Sequence, residues 1–362
     1  MNAPRIERFG RVDTTPLVSV VVLNWNGEQW LRRCFDSIKE QTILPQIETV
    51  FVDNASTDSS VELARQLLAG LPAACMVLNS DNIGFSAGNN VGAEVASGRY
   101  LFFLNSDTWL ERDCIEELVK QVRITGADAA TPLVLNYNDD SYQDMGFFGF
   151  DIFGLPSPST PCDHTRTIFI AGGCSFLIER ELFFRLGRFD PEFFMYSEDA
   201  DLSWRVWIAG GKIVAVPKAC VHHRGAAAVN PAGGERPVEF RTSEQKRFLT
   251  NRNALLTLLK NAQHVLLLLV PLQVMLLIIE SVLVTLILRR TAYFRRVCLA
   301  ALADCWRLRR HVLVERTRVA SFRKRGDLWM LRFFRVRPNR WFEIKRLIRF
   351  GLPKIDPLKN AG

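Results

Sequence analysis

Three carboxylates stand close together in the segment FMYSEDADLSWRVWIAGG, residues 194–211. Carboxylates crowded between aromatic residues are costly unless a cation, a proton or a substrate compensates them. Glu198 and Asp199 precede an apolar stripe at helical spacing, so we expect them at a helix N-terminus, where the helix dipole favours anions. Asp201 and Arg205 are four residues apart and are expected to pair on that helix. Glu198 and Asp199 are therefore the candidates for a general base.

Amides and carboxylates also follow several short apolar runs that read as strands. Asn24, Asp53, Asn82, Asn105 and Asp107 all stand at or just after the ends of such runs. In open α/β sheets, ligands bind outside the carboxyl ends of the strands. One such residue would be ordinary turn chemistry. The repetition of the pattern predicts a polar pocket along one edge of a sheet.

Asp107 is the candidate ligand for a divalent metal ion. It ends the run FLNSDT, two residues after Asn105, and such hard oxygen ligands suit Mg²⁺ or Mn²⁺. The alternative is that Asp107 only caps the helix that follows. The adjacent His222 and His223 are either polar surface or satisfied core residues, or the source of one further metal ligand.

The glycine patterns exclude two common nucleotide sites. The first predicted strand is followed by NWNGEQW, which does not match the G-x-G-x-x-G motif of dinucleotide-binding domains, and a P-loop is absent. The loop NIGFSAGNN is rich in glycine but lacks the P-loop lysine, so by itself it is a weak phosphate signal. A nucleotide held by polar side chains, with its phosphates bound to a metal ion, fits the sequence better.

The elements that must position these residues alternate between strand and helix. Apolar runs at 17–23, 48–53, 75–79 and 100–105 are typical of strands buried on both faces of a parallel sheet, and helical stripes lie between them. This pattern predicts a doubly wound α/β domain over 17–230, after an N-terminal tail at 1–16. Further strand-like runs lie at 168–178, 212–217 and 221–225. The turn-rich segment 136–165 is long enough to be a functional loop.

The C-terminal part has a different composition. Residues 285–362 contain 21 Lys+Arg and 5 Asp+Glu, whereas residues 1–284 contain 25 and 33. A linker and helix are expected at 231–263, an apolar membrane segment at 264–288 and a basic amphipathic region at 289–362. Because both flanks of the apolar segment are basic, a re-entrant or interfacial hairpin is favoured over a single span. Arginines interleaved with aromatic residues favour lipid headgroups over nucleic acid as the partner of 264–362.

Seven motifs in register give the sequence a family resemblance. VSVVVLNWNG, VDNASTDSS, NIGFSAGNN, FLNSDT, AGGCSFLIER, FDPEFFMYSEDADLSWRVWIAGG and CVHHRG run in this order from about residue 17 to 225. Together they resemble the family 2 glycosyltransferases of the GT-A fold, especially the rhamnosyltransferase-like, membrane-attached bacterial members. The resemblance implies a mostly parallel, Rossmann-like sheet in the catalytic domain.

The resemblance also implies an inverting sugar transfer from a nucleotide-diphosphate donor. Asp199 would accept the proton of the acceptor hydroxyl, and Glu198 would orient the acceptor or the base. Asp107 and His223 would hold Mg²⁺ or Mn²⁺. The donor nucleotide would be bound by a larger set of residues: Asn24, Asp53, Asn82, Gly84, Asn89, Asn105 and Asp107.

Two departures from the family pattern and the C-terminal segment refine these expectations. The D-x-D motif is here Asn105-Ser106-Asp107, and the Q-x-x-R-W motif of processive synthases is missing, which favours transfer of single sugars. dTDP-rhamnose is the expected donor and a UDP-hexose the alternative. The acceptor is expected to be lipid-linked or a cell-envelope glycan, at the cytoplasmic face of the inner membrane. A non-catalytic nucleotide-sugar-binding membrane protein is the weaker alternative.

Overall fold

The computed structural model describes residues 3–10, 15–225, 241–336 and 354–356. The chain divides into two compact units. The first comprises residues 1–147, 159–207 and 211–225, and the second comprises 148–158, 208–210 and 226–362. The division near residue 225 lies close to the expected boundary at 230, but the short segment 148–158 belongs to the second unit. Residues 226–240, which include most of the expected linker, lie outside the described residues, as does most of 337–362.

Fifteen strands are described. They are β1 Arg5–Gly10, β2 Val18–Asn24, β3 Ile47–Asp53, β4 Ala73–Leu78, β5 Tyr100–Asn105, β6 Thr108–Leu110, β7 Ala129–Asn136, β8 Tyr142–Asp144, β9 Phe147–Phe150, β10 Pro156–Pro158, β11 Arg166–Thr167, β12 Ser175–Glu179, β13 Ile213–His223, β14 Arg241–Ser243 and β15 Lys354–Asp356.

Twelve α-helices are described. They are α1 Glu28–Lys39, α2 Ser60–Leu68, α3 Gly84–Val95, α4 Cys114–Thr125, α5 Arg180–Arg185, α6 Glu198–Ile208, α7 Glu244–Asn261, α8 Leu269–Leu288, α9 Thr291–Tyr293, α10 Ala300–Arg307, α11 Arg309–Ser321 and α12 Asp327–Met330. Short 3₁₀ turns lie at Leu44–Gln46, Pro191–Phe193, Leu266–Leu268 and Leu331–Phe333, and a π-helical turn at Phe294–Leu299.

The first unit is built on a large mixed sheet with the strand order β1-β4-β3-β2-β5-β12-β7-β13-β11. The strands β4, β3, β2 and β5 are parallel neighbours, and β12 runs antiparallel to both β5 and β7. All seven residues of β3 are buried, as expected for a strand covered on both faces. The predicted α/β fold, with a largely parallel sheet at its centre and a helical C-terminal part, is confirmed.

The structure differs from the predicted elements in three places. Arg5–Gly10, within the expected N-terminal tail, forms β1 and pairs antiparallel with β4, so the edge of β4 is hydrogen-bonded. The segment 136–165 contains three short strands instead of one long loop. The two strands expected at 212–217 and 221–225 are one strand, β13, in which a bulge lies between Val216 and Cys220.

The apolar segment is also different from the hairpin that the sequence favoured. A 3₁₀ turn leads directly into the single helix α8, without a reversal between Leu266 and Leu288. Pro271 is tolerated because it lies in the first turn of α8, where a backbone N–H lacks an intrahelical partner. By length and composition Leu266–Leu288 could cross a membrane, and 17% of its most apolar 18-residue window is buried.

Candidate active site

The ends of β2 and β3 bring Asn24 and Asp53 side by side. The two residues are in register, and Asn24 Nδ2 donates to Asp53 Oδ1 over 3.1 Å. Ser56 donates to the same carboxylate through its backbone N–H, at 2.8 Å, and through its hydroxyl, at 2.6 Å. Asp53 is only 2% exposed. The pair therefore fixes the shape of the β3–α2 loop at the open edge of the sheet.

The β4–α3 loop continues this polar edge. Asn82 Oδ1 accepts from the backbone N–H of Gly84 over 3.0 Å, and Asn54 Nδ2 donates to the Gly84 carbonyl over 3.0 Å. Asn89 is 1% exposed inside α3, where its amide donates to the Phe85 carbonyl over 3.0 Å.

Backbone N–H groups at the N-terminus of α3 are hydrogen-bonded within the protein. The backbone N–H groups of Phe85 and Ser86 both donate to the carbonyl of Phe194, at 2.6 and 3.1 Å. Phe194 precedes the carboxylate segment, so this contact joins the predicted nucleotide loop to the predicted base. Phe194, Tyr196 and Ser197 all have positive φ angles, of 58°, 74° and 66°. Such a run of left-handed residues is typical of functional sites.

Asp107 and His223 meet where β5 and β13 end. Asp107 Oδ1 lies 3.4 Å from His223 Nε2, and Asn105 Nδ2 lies 3.4 Å from the same nitrogen. His223 Nδ1 lies 3.0 Å from Gln143 Oε1. A Nδ1–H that donates to Gln143 places Nε2 on the aspartate side of the site.

Asp107 and His223 each stabilise the charged form of the other. Burial alone would raise the pKa of Asp107, but attraction and hydrogen bonding to His223 outweigh it, and the pKa is lowered. Burial likewise acts to lower the pKa of His223, but interactions with Cys174 and Asp107 raise it well above its ordinary value. Asp107 is therefore ionised, and His223 is held beside a negative charge.

His222 has a different role from its neighbour. Its ring stacks on Trp109, with centroids 3.5 Å apart and planes at 4°, and its Nε2 lies 3.0 Å from Glu111 Oε1. It is 2% exposed. Of the two histidines that the sequence left open, His223 is the one at the site.

Glu198 and Asp199 begin α6, as the sequence predicts. Asp199 Oδ2 accepts from the backbone N–H of Gly173 over 3.0 Å, and Oδ1 accepts from Ala200 over 2.7 Å. Burial raises the pKa of Asp199 to about 6 against the opposing effect of these two bonds. A carboxylate with this pKa is ionised at neutral pH and is still basic enough to accept a proton.

Glu198 is more deeply buried than Asp199. It is 5% exposed, and its Oε2 has no hydrogen-bond partner among the described residues. Burial, followed by the charge of Asp199, raises the pKa of Glu198 well above its ordinary value. Both effects favour the neutral carboxylic acid form of Glu198, which can donate a hydrogen bond.

Asp201 and Arg205 pair inside the core, as expected. Arg205 Nη2 lies 2.6 Å from Asp201 Oδ2, and its Nη1 donates to the carbonyls of Leu186 and Arg188, at 2.7 Å each. Both side chains are at most 1% exposed. This pair fixes the first turns of α6 and does not belong to the reactive edge.

The turn Gly173-Cys174 contacts both Asp199 and the Asp107–His223 pair. Gly173 donates to Asp199, and the next residue, Cys174, interacts with His223 and accepts through its carbonyl from the Asn105 N–H over 3.0 Å. The Asp107–His223 pair and the Asp199–Glu198 pair therefore lie on either side of Gly173-Cys174.

Sequence reasoning missed Gln143 and Asp144 because they lie in the turn-rich segment 136–165, which shows no periodic signal. Burial raises the pKa of Asp144 to about 6, and the charge of Asp199 adds to the effect. Arg224 was also missed. Its backbone N–H donates to the Asp107 carbonyl over 3.0 Å, and the only signal was its place after the two histidines.

The donor set suits a metal ion that is completed by a substrate. A search of the described residues finds no cluster of three or more His, Cys, Asp or Glu side chains that would enclose a metal by itself. Mg²⁺ and Mn²⁺ typically bind one or two protein ligands and the phosphates of a nucleotide. The ionised Asp107, with the Nε2 of a histidine oriented by Gln143, fits that type of site.

The sequence is similar to glycosyltransferases over its first half. Residues 19–187 match the family model described as Glycosyl transferase family 2. Glycosyltransferase GlyA of Streptococcus pneumoniae is 35% identical over 137 residues, which are 38% of this chain and 19% of the relative. EpsH of Bacillus subtilis is 32% identical over 132 residues, 36% of each chain. The chain thus spans little more than a third, at most, of these two relatives.

The fold is shared with solved glycosyltransferases. The structure of GalNAc-T7 with UDP, GalNAc and Mn²⁺ superposes with a TM-score of 0.54 at 22% identity, over 68% of this chain and 48% of the other. The mixed sheet of the first unit is therefore a GT-A fold.

Proposed function

From the glycosyltransferase family 2 domain that residues 19–187 carry, we propose that the protein is an inverting glycosyltransferase. It moves a sugar from a nucleotide-diphosphate donor to a hydroxyl acceptor. One observation carries the proposal: Asp199, whose pKa is raised to about 6, is separated from the Asp107–His223 pair by a single turn, Gly173-Cys174. A base and a site for the leaving diphosphate are therefore neighbours.

The chemistry is a direct displacement. Asp199 accepts the proton of the acceptor hydroxyl as that oxygen bonds to C1 of the sugar. The C1–O bond to the diphosphate breaks, and the diphosphate leaves with the electron pair. Glu198, held neutral by burial, donates a hydrogen bond that orients the acceptor.

The other polar edge residues hold the donor. Asn24, Asp53, Asn82 and Gly84 form the nucleotide side of the site, and Asn105 adjoins the phosphates. Asn89 supports this loop from inside α3, because its amide donates to the Phe85 carbonyl. Asp107 and His223 would hold Mg²⁺ or Mn²⁺, which when bound would supply charge neutralisation for the diphosphate.

The donor and acceptor rest on the motif resemblance and on the C-terminal part. dTDP-rhamnose is the favoured donor, and a UDP-hexose is the alternative. The apolar helix α8 and the basic residues around it support an acceptor that is lipid-linked or part of the cell envelope, at the cytoplasmic face of the inner membrane.

Nucleotide release from a panel of dTDP- and UDP-sugars tests the proposal. The assay contains Mg²⁺ or Mn²⁺ and a lipid acceptor fraction. We expect metal-dependent turnover of one donor, and a loss of 10²- to 10⁴-fold in Asp199→Asn. Glu181→Gln, on the exposed side of α5, is the matched control and should keep full activity. Turnover that survives in Asp199→Asn would refute the assignment of the base.

A further inference from the structure

The polarity of α8 is opposite to that of a surface helix in water. Eight large apolar side chains, each between 38 and 68% exposed, form what we call the outer face of α8. They are Leu272, Met275, Ile278, Ile279, Val282, Leu283, Leu286 and Ile287. The buried stripe instead includes the polar residues Gln273 and Ser281, at 4 and 2% exposure. A helix that turns its polar residues inward and its apolar residues outward is adapted to an apolar surrounding.

Both ends of α8 are held by the same folded unit. Before the helix, the backbone N–H groups of Gln263, His264 and Leu266 donate to the Asp327 carboxylate, at 2.9, 2.7 and 2.9 Å. At its other end, Val284 and Leu288 pack against a buried cluster that contains Tyr293, Val297 and Ile355. The ends of a helix fixed in this way cannot be separated by a bilayer unless the unit itself enters it.

The neighbouring helix α7 could not follow α8 into hydrocarbon. α7 packs against α8 and carries buried charges from its first residue, Glu244, through Arg252 to Lys260. Arg252 pairs with Asp304 over 2.8 Å. A 20-residue helix is about 30 Å long, close to the thickness of the hydrocarbon core. If α8 crossed the bilayer, these ionic groups would lie at hydrocarbon depth.

The charge around α8 complements an anionic surface. Residues 264–336 contain 14 Lys+Arg and 4 Asp+Glu. The acids Asp304, Glu315 and Asp327 are engaged with the chain. Many of the arginines are exposed, among them Arg289, Arg290, Arg309 and Arg310. The basic excess therefore faces outward.

Exposed side chains of α10 and α11, in the same unit as α8, suit a headgroup layer. Trp306 is 71% exposed at the end of α10, and Leu313 is 63% exposed on α11. The Arg309 guanidinium lies 4.9 Å from the centre of the Trp306 ring. Tryptophan and arginine together are typical of the interface between water and hydrocarbon.

We propose that the outer face of α8 lies in the plane of an anionic phospholipid bilayer, sunk into one leaflet without crossing it. This inference gives the proposed membrane association its geometry. Its tests use lipid binding alone, so that they succeed or fail independently of sugar transfer.

The first test is co-flotation of the full chain with vesicles. One set is pure phosphatidylcholine, and the other contains phosphatidylglycerol as well. We expect stronger binding to the anionic vesicles, weakened by added salt. Ile279→Asp and Leu283→Asp should each reduce binding at least tenfold. Ile124→Asp, at a 68% exposed isoleucine of α4, is the matched control and should bind like the parent chain.

The second test measures depth. Bimane is attached to Leu272→Cys, Ile279→Cys and Ile287→Cys, with the labelled parent chain as background, and is quenched by lipids brominated at different positions. Equal, shallow depths at all three sites would support the proposal. A central site much deeper than the two ends would overturn it in favour of a span. The proposal would also be overturned if the Asp variants bound vesicles as tightly as the parent chain. A dimer that buries α8 and does not bind vesicles would overturn it as well.

Discussion

Neighbouring carboxylates of one helix turn have different surroundings, and these set their chemistry. Asp201 is neutralised by Arg205, Glu198 is buried without a cation, and Asp199 is half-buried and hydrogen-bonded by two backbone N–H groups. The same side-chain type is therefore a core anchor at Asp201, and we propose it as a neutral donor at Glu198 and as the base at Asp199. Asp144 adds a fourth carboxyl that repels Asp199.

The pH dependence of turnover follows from Asp199. Because the base must be ionised to accept a proton, activity should fall as the pH drops through about 6. Asp144→Asn removes a nearby negative charge, which lowers the pKa of Asp199, so this acidic limb should move to lower pH. The limb is measured as kcat/KM against pH, with Glu181→Gln as control. A limb that stays in place or moves upward would contradict the coupling.

Gln143 should control the affinity for the metal ion without contacting it. Gln143→Leu removes the acceptor at His223 Nδ1, so that the ring loses its fixed orientation. We expect the metal concentration for half-maximal nucleotide release to rise 10- to 100-fold. Gln46→Leu, in an exposed 3₁₀ turn, provides the comparison. An equal effect of both variants would show that Gln143 has no specific role.

At the scale of elements, Gly84 lets the predicted nucleotide loop approach the segment that carries the proposed base. Its φ is +84°, and an added Cβ would lie 2.5 Å from Phe194 Cδ2 and 2.7 Å from its carbonyl oxygen. Gly84→Ala should cost about 1–3 kcal/mol of unfolding free energy and lower turnover. Gly126→Ala, where φ is +62° but nothing lies within 4 Å, isolates the cost of the backbone angle, about 1–2 kcal/mol. Denaturant unfolding of both variants gives the comparison.

The Asp201–Arg205 pair positions α6 from inside the core. Arg205→Met leaves a buried carboxylate without its cation and should cost about 3–5 kcal/mol of unfolding free energy. Replacing both residues, as Asp201→Leu with Arg205→Met, should cost less than the single change, because no uncompensated charge remains. Thermal unfolding measures both. A double variant that is less stable than Arg205→Met would contradict this account.

At the scale of the whole molecule, charge and apolar surface are segregated along the chain. The basic excess and the outer face of α8 both lie in the second unit, whereas the candidate catalytic residues lie in the first. Leu283→Asp should therefore raise the KM for a lipid-linked acceptor, with little change in kcat for a water-soluble acceptor analogue. Parallel kinetics with both acceptors measure this difference. An equal loss of activity with both acceptors would indicate that Leu283→Asp acts through the folding of the chain.

The sequence by itself determined the α/β class, the polar edge and the start of α6 at Glu198, because these follow from local periodicity and from residues next to one another in the chain. It also predicted the Asp201–Arg205 pair, whose spacing is that of one helical turn. The stacking of His222 on Trp109, the burial of Asn89 and the contribution of Gln143 and Asp144 were decided only by the tertiary structure. Gln143 and Asp144 depend on the pairing of β8 with β7, and Asn89 depends on the packing of α3. A one-residue shift along β13 would exchange the two histidines.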